Sequence, residues 1–184
     1  MLILPKTGAF EYEEKRSKFL GFCAPITTEE DARKIIAEIR ATHPKANHNV
    51  FAYAVGSVTR ASDDGEPHGT AGMPVLNVFQ KNGVINYVCV ITRYFGGTLL
   101  GAGGLVRAYS KTAKGAMENA EPQEQIISKI YSVTCPYASF DKTKYFFEKL
   151  GVEILETSYT DHCALTVRVK EKHALQFLQG AGYT

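Results

Sequence analysis

The residues best suited to chemistry lie at a glycine-rich bend, residues 96–104, which we call the glycine bend. An apolar strand pattern precedes it and a helical pattern follows it. Such a bend leaves free N–H groups and the positive end of a helix dipole facing one point, which favours an anion. Arg93 and Arg107 flank the bend and could donate forked hydrogen bonds to phosphate or carboxylate. The glycines concerned are Gly96, Gly97, Gly101, Gly103 and Gly104.

Close packing of a helix against a sheet also requires glycine, so the bend supports either an anion site or a purely structural role. The segment lacks the G-x-x-x-x-G-K-[ST] pattern of a phosphate-binding loop. It also lacks the third glycine and the acidic residue of a dinucleotide fingerprint. We therefore predict no cofactor.

A second candidate is the acidic loop, residues 62–70, within a longer segment, 57–74, that is predicted to be a loop throughout. Its carboxylates and histidine could bind a divalent ion, or act as acid and base in a hydrolysis. Ordinary turn chemistry is the alternative. We predict a functional loop without a bound metal. The candidate residues, including one just upstream of the loop, are His48, Arg60, Asp63, Asp64, Glu66 and His68.

Two further segments carry basic residues. In the helix after the glycine bend, i, i+4 and i+7 spacing places Arg107, Lys111 and Lys114 on one face, which we call the cationic face. Residues 137–149 mix aromatic side chains with lysines, a composition that can bind RNA. At helical spacing, however, that run separates into a buried and a solvated side, so an amphipathic core helix is the preferred interpretation.

The elements that must position these residues alternate between strands and helices and predict an α+β chain. A polar break with a proline at 121–125 predicts a domain boundary, giving domains 1–125 and 126–184. Thr27 and Glu30 have the spacing of a capping box and predict a helix start. The second domain has the order β-α-β-β-α, a ferredoxin-like pattern lacking its last strand. The predicted strands span 10–14, 19–26, 50–55, 87–92, 127–134, 152–159 and 164–170, and the predicted helices include 75–81, 139–150 and a segment from 172.

Composition limits the function classes. With 21 basic and 19 acidic residues the net charge is +2, so nucleic acid could be bound only by a local patch. The four cysteines are widely spaced without a C-x-x-C pair, which indicates reduced core residues. No stretch has the character of a signal peptide or a transmembrane helix, so a cytoplasmic protein that does not enter a membrane is expected.

The stretches HNVFAYAV, SDDGEPHGTAGMPVL and VITRYFGGTLLGAGGLVRAYS resemble the Impact family. The match covers residue 1 to about 120 as the Impact N-terminal domain, and the remainder is similar to the small C-terminal domain of bacterial members. The resemblance implies a β-α-β domain similar to domain IV of elongation factor G and a second similar to its domain V. Eukaryotic relatives regulate translation during amino-acid starvation, through an additional domain that is expected to be missing here. The family supplies no catalytic residues.

Three functions follow as hypotheses. The preferred one is a translation-associated regulator that binds RNA or the ribosome through the glycine-rich helix start and its flanking basic residues. The alternative is a hydrolase or phosphoryl-group enzyme that uses the acidic loop on an anionic substrate. A protein–protein adaptor using the C-terminal sheet is the third.

Overall fold

A computed structural model describes residues 1–180, which form two compact units, Met1–Gln125 and a second beginning at Ile126. Each unit combines helices with an antiparallel sheet, which confirms the predicted α+β class.

The first unit is a five-stranded sheet with helices on both faces. The elements are β1 (Leu2–Ile3), β2 (Gly8–Glu14), β3 (Ser17–Pro25), α1 (Glu29–Thr42), β4 (His48–Val55), β5 (Val58–Ser62), α2 (Gly72–Lys81), β6 (Tyr87–Tyr94), α3 (Gly101–Asn119) and β7 (Gln123–Glu124). The strand order is β2-β3-β6-β4-β5, and every neighbouring pair is antiparallel. A short pair, β1 with β7, joins the two ends of the unit.

The central strand β6 explains how the sheet positions the site. Its side chains alternate: Val88 and Val90 pack in a cluster with α1, whereas Cys89 and Ile91 pack with α2 and α3. Because strand side chains repeat every two residues, the next position on the α2 and α3 side is Arg93. The strand therefore places an arginine on the buried face of the sheet, where the residue is 5% exposed.

The start of α1 differs from the prediction by one residue. The capping box uses Thr28 and Asp31, not Thr27 and Glu30. Asp31 accepts hydrogen bonds from the backbone N–H groups of both Thr27 and Thr28, at 2.9 and 2.8 Å. Led by the Thr27 backbone bond, these hydrogen bonds lower the pKa of Asp31 to about 2. Thr28 is therefore the N-cap residue, because the carboxylate of Asp31, three residues later, accepts from both backbone amides.

The prediction of one long loop over 57–74 is wrong at both ends. Residues Val58–Ser62 form β5, which pairs with β4 across a tight turn, and α2 already begins at Gly72. β5 lies at an edge of the sheet, and its middle residues are exposed. An edge strand with polar, exposed positions gives little periodic signal, which is why the pattern suggested a loop.

The second unit contains β8 (Ser128–Cys135), α4 (Phe140–Leu150), β9 (Glu153–Tyr159), β10 (Cys163–Lys170) and α5 (Ala174–Gly180). Its sheet order is β8-β10-β9, the arrangement of a split β-α-β motif. Helix α4 ends at Leu150, as predicted, and is followed by a left-handed glycine, Gly151, with φ 62°. The buried side chains of α4 are Phe147 and Leu150, in keeping with an amphipathic core helix. The fourth strand considered above would lie outside the described residues.

Candidate functional site

The acidic loop and the glycine bend, which are separate in sequence, line one cleft of about 430 Å³ in the first unit. The first helical turn of α3 and the end of β6 complete its walls. Of the residues singled out from the sequence, the cleft brings together His48, Glu66, Arg93 and Gly101. The full lining is Asn47, His48, Gly65, Glu66, Pro67, Arg93, Phe95, Leu99, Leu100, Gly101, Ala102 and Leu105.

A buried carboxylate, that of Glu66, lies at the inner end of the cleft. Its Oε1 accepts hydrogen bonds from Arg93 Nη1 at 2.6 Å and from the Tyr109 hydroxyl at 2.7 Å. The Glu66 and Arg93 side chains are 3% and 6% exposed. Burial, followed by the hydrogen bond to Glu66, raises the pKa of Tyr109, so its hydroxyl keeps its proton and remains a donor.

The sequence predicted that Arg93 would face an anion at the glycine bend. Its charge is instead paired with Glu66, and its Nη2 is 3.4 Å from the Ser17 hydroxyl. The guanidinium carbon also lies 5.4 and 5.6 Å from the ring centroids of Phe19 and Phe95. These contacts hold the guanidinium in one position at the wall of the cleft.

His48 presents one ring nitrogen to the same carboxylate. Its Nδ1 is 2.8 Å from the backbone oxygen of Asp64. Because a carbonyl oxygen only accepts, the Nδ1 carries the hydrogen. The Nε2 then lies 3.9 Å from Glu66 Oε1, too far for a direct hydrogen bond, and can accept one from another group.

The two aspartates of the acidic loop accept hydrogen bonds from backbone N–H groups, in agreement with the turn chemistry considered as the alternative above. Asp63 accepts hydrogen bonds from the backbone N–H groups of Gly69 and Gly72 at 2.8 Å each and of Ala71 at 3.1 Å. It thereby caps the start of α2, whose own N-cap residue offers no side-chain acceptor.

Asp64 joins the loop to two other elements. Its carboxylate accepts from Arg40 of α1 and from the backbone of Asn49 in β4, at 2.6 Å each. The two remaining loop candidates do not line the cleft: His68 is fully exposed beside Asp63, and Arg60 is exposed on β5. Within residues 1–180, no set of three acidic, histidine or cysteine side chains is arranged to hold a metal ion.

Removal of the Asp63 carboxylate is expected to destabilise the first unit by about 1–2 kcal/mol, a typical value for loss of a helix cap. Burial raises the pKa of Asp63, but the three backbone hydrogen bonds outweigh it, and the net pKa is lowered. The stabilisation is therefore complete above the unfolded pKa of about 3.9 and is lost as the pH falls through the lower folded pKa.

Urea unfolding of Asp63→Ala measures this effect, and Arg60→Ala, at an exposed residue of β5, serves as the control. The difference from the unsubstituted protein should be present at pH 7 and should shrink below about pH 4. Equal stability of the two variants at pH 7 would contradict the capping role.

The glycines of the bend have different roles. Gly96 is a packing residue: a Cβ there would overlap the Arg16 carbonyl group, and its N–H donates to Ser17 Oγ at 3.1 Å. Gly97 and Gly101 have φ of 81° and 69° and face open space. A Cβ at Gly103 would meet only the Arg107 side chain, at 3.6 Å, and one at Gly104 would press on Leu100. Packing therefore explains Gly96 and Gly104, but not Gly103.

The start of α3 is open. The helix follows Leu100 with no side-chain cap, and its first three residues, Gly101, Ala102 and Gly103, are exposed. The first N–H groups of a helix have no intrahelical partner, so bare backbone donors remain here. The three residues of the cationic face are exposed on the same helix, although Lys114 lies 3.7 Å from Glu118.

Three contributors were missed from the sequence. Arg16, in the turn between β2 and β3, donates to the Thr98 hydroxyl at 3.1 Å and adds a cation beside the bend. The buried hydroxyl of Ser17 contacts Arg93, and that of Tyr109 donates to Glu66. One signal was available: an arginine on the buried face of an apolar strand requires a buried acidic partner.

Fold and site together define a two-unit α+β protein whose first unit carries a cleft between an acidic loop and a glycine-led helix. The chain belongs to the IMPACT family: residues 15–117 match the Impact N-terminal domain. Residues 133–179 match a domain of unknown function, DUF1949. The predicted resemblance is thus confirmed.

Relatives match over most of the chain. An IMPACT family member of Haemophilus influenzae is 35% identical, covering 92% of this chain and 85% of that protein. The family member YvyE of Bacillus subtilis is 33% identical, covering 94% and 81%. A solved structure described as a hypothetical protein superposes with a TM-score of 0.67 at 29% identity, covering 97% and 89%.

Among residues 1–180, no helix is both long and apolar enough to span a bilayer.

Proposed function

We propose that the protein is a translation-associated regulator that binds RNA or the ribosome at the start of α3. The observation that carries this proposal is the uncapped first turn of α3, where Gly101, Ala102 and Gly103 are exposed beside Arg107. Free N–H groups and the helix dipole attract a phosphate there, and the absence of a Cβ at two of three positions permits close approach.

The surroundings suit a nucleic-acid chain better than a simple anion. Arg16 adds charge on one side of the bend, and the cationic face adds it along α3. Phe95 and Leu99 are 43% and 81% exposed, so apolar surface adjoins the phosphate position. Aromatic side chains beside a cationic groove are the general means by which single strands are bound without sequence preference.

The family context favours RNA of the translation machinery. The Impact resemblance implies that eukaryotic relatives regulate translation and that the first domain is similar to a domain of elongation factor G. A net charge of only +2 requires that binding come from this local patch, not from the whole surface.

The geometry favours binding over the alternative hydrolase or phosphoryl-group enzyme. That alternative depended on the acidic loop, and both aspartates there are engaged by backbone N–H groups. Glu66 retains contact with the cleft, but its Oε1 already accepts from Arg93 and Tyr109.

Removal of the cationic face, as Arg107→Ala with Lys111→Ala and Lys114→Ala, tests the proposal. Binding to a single-stranded RNA and co-sedimentation with ribosomes should weaken at least 10-fold. The slope of log K against log salt should fall by about 2, because each phosphate contact on a single strand contributes roughly 0.7.

A control with the same charge change is available in the second unit. Lys142, Lys144 and Lys149 of α4 are all exposed, and their triple alanine variant should retain binding. Equal losses in the two triple variants would show a non-specific charge effect, and no loss in the first would remove this surface from consideration.

A further inference from the structure

We propose that the cleft receives one unstacked nucleotide of the bound RNA, with a phosphate at the start of α3 and the base inside the cavity. The inference rests on the proposed function and adds to it a defined pocket and a ligand class. The cleft adds to the helix start, because half of its lining residues, among them His48, Glu66 and Arg93, belong to other segments.

The cavity has the dimensions and lining of a small-molecule site. Its volume of about 430 Å³ falls within the range of roughly 300–1,000 Å³ found for ligand pockets. Phe95, Leu99, Leu100 and Leu105 form apolar walls, and the polar side chains of the lining include His48, Glu66 and Arg93, which lie next to one another. A mainly apolar cavity with a few fixed polar groups suits an aromatic heterocycle.

The charged pair at the wall of the cleft is buried, and one of its donors has no partner among the described residues. The Arg93 side chain is 94% buried, since only 6% is exposed, yet within the described part of the chain its Nε has no acceptor. A buried ion pair such as Arg93–Glu66 is seldom more stabilising than apolar packing. Stability alone therefore does not account for a charged pair at the wall of an apolar cavity, whereas a ligand-binding role does.

Two side chains are positioned to contact a base. The Phe95 backbone N–H donates to Asn47 Oδ1 at 2.8 Å, and the centroid of the half-exposed Phe95 ring lies 5.6 Å from the Arg93 guanidinium carbon. The hydrogen bond to the Asp64 carbonyl oxygen orients the His48 ring and leaves Nε2 near Glu66 in the cleft. A stacking surface and a nitrogen that can accept a hydrogen bond are what recognition of a base requires.

The spatial order of these groups selects a nucleotide. Gly101 lines the cleft at the phosphate end and Phe95 lines it beside Arg93, so one cavity offers an anion position next to a ring position. A free phosphate would use only the first and an uncharged aromatic compound only the second. A nucleotide uses both.

A tryptophan reporter tests the proposal directly, because the chain contains no tryptophan. Leu99 lines the cleft and is 81% exposed, and Leu175 of the second unit is 78% exposed and serves as the matched control. Leu99→Trp and Leu175→Trp are titrated separately with an adenine-rich RNA oligonucleotide, 5′-AMP, adenosine and inorganic phosphate. We expect saturable quenching by the oligonucleotide and, at higher concentration, by 5′-AMP, in Leu99→Trp only.

Several results would overturn the proposal. If inorganic phosphate alone reproduces the quenching, the site is an anion site without base recognition. If filter binding shows that the RNA binds but the Leu99→Trp signal does not change, the nucleotide inference fails while RNA binding stands. If neither RNA nor 5′-AMP binds, both fail. Quenching by 5′-AMP without RNA binding would identify a free nucleotide as the ligand and overturn the RNA assignment.

A second measurement avoids altering the cleft with a bulky reporter. An oligonucleotide containing 2-aminopurine should brighten on binding the unsubstituted protein, because unstacking relieves quenching of that base. Phe95→Ala should weaken binding by about 5- to 150-fold, the range for loss of one base–aromatic stack, and should reduce the brightening. Full brightening in Phe95→Ala would exclude this cleft as the base pocket.

Discussion

Replacement of Arg93 by methionine is expected to destabilise the first unit by about 3–5 kcal/mol, the cost of removing one partner of a buried ion pair. The Glu66 carboxylate would remain 97% buried, since 3% of it is exposed, with only the Tyr109 hydroxyl as a strong donor. Methionine preserves much of the side-chain length between Phe19 and Phe95, so lost packing contributes little.

The double variant Arg93→Met with Glu66→Gln separates charge from packing. A glutamine can still accept from Tyr109 but carries no charge, so most of the lost stability should return. Hydrogen exchange of the β6 amides, followed in urea, measures the first unit independently of the second. If the double variant is no more stable than Arg93→Met alone, the unpaired carboxylate is not the cause of the destabilisation.

Gly96→Ala and Gly103→Ala are expected to have opposite effects on stability, although both glycines belong to the same bend. At Gly96 the added methyl group would overlap the Arg16 carbonyl, and relief of that overlap requires a backbone shift. Such overpacking typically costs about 1–3 kcal/mol. At Gly103 the methyl group has room, and α3 should gain up to about 1 kcal/mol in helix propensity.

The same pair tests the role of the helix start. Gly103→Ala should weaken RNA binding although the first unit is no less stable, because the methyl group covers backbone that a phosphate would approach. Thermal unfolding and filter binding on the two variants provide both readouts. Unchanged RNA affinity in Gly103→Ala would indicate that no ligand approaches α3 closely at this position.

The sequence predicted the existence of most elements because their signals are local. The apolar run of β6 and the end of α4 before Gly151 are properties of a few neighbouring residues. The errors occurred where two local signals overlapped, as at Thr27 and Thr28, or where an exposed edge strand lacked alternation, as in β5.

The candidate site shows the same difference between local signals, which the sequence carries, and long-range contacts, which it does not reveal. The sequence identified the acidic loop, with His48 and Glu66, and the glycine bend as two candidates but gave no evidence that they meet in space. The ion pair of Glu66 with Arg93 spans 27 positions, and the bond of Glu66 to Tyr109 spans 43. No periodicity within one element encodes such distances.

By itself the sequence determined the α+β class, the family and the presence of a glycine-led helix, since residue type and spacing are enough to define these. Only the tertiary structure decided which charged side chains can face a ligand and which are already paired within the protein. Arg93, Asp63 and Asp64 look equally available in the sequence, yet folding places a buried carboxylate or a row of backbone N–H groups against each. Whether a charged group can serve a ligand depends on the partners that distant segments bring to it.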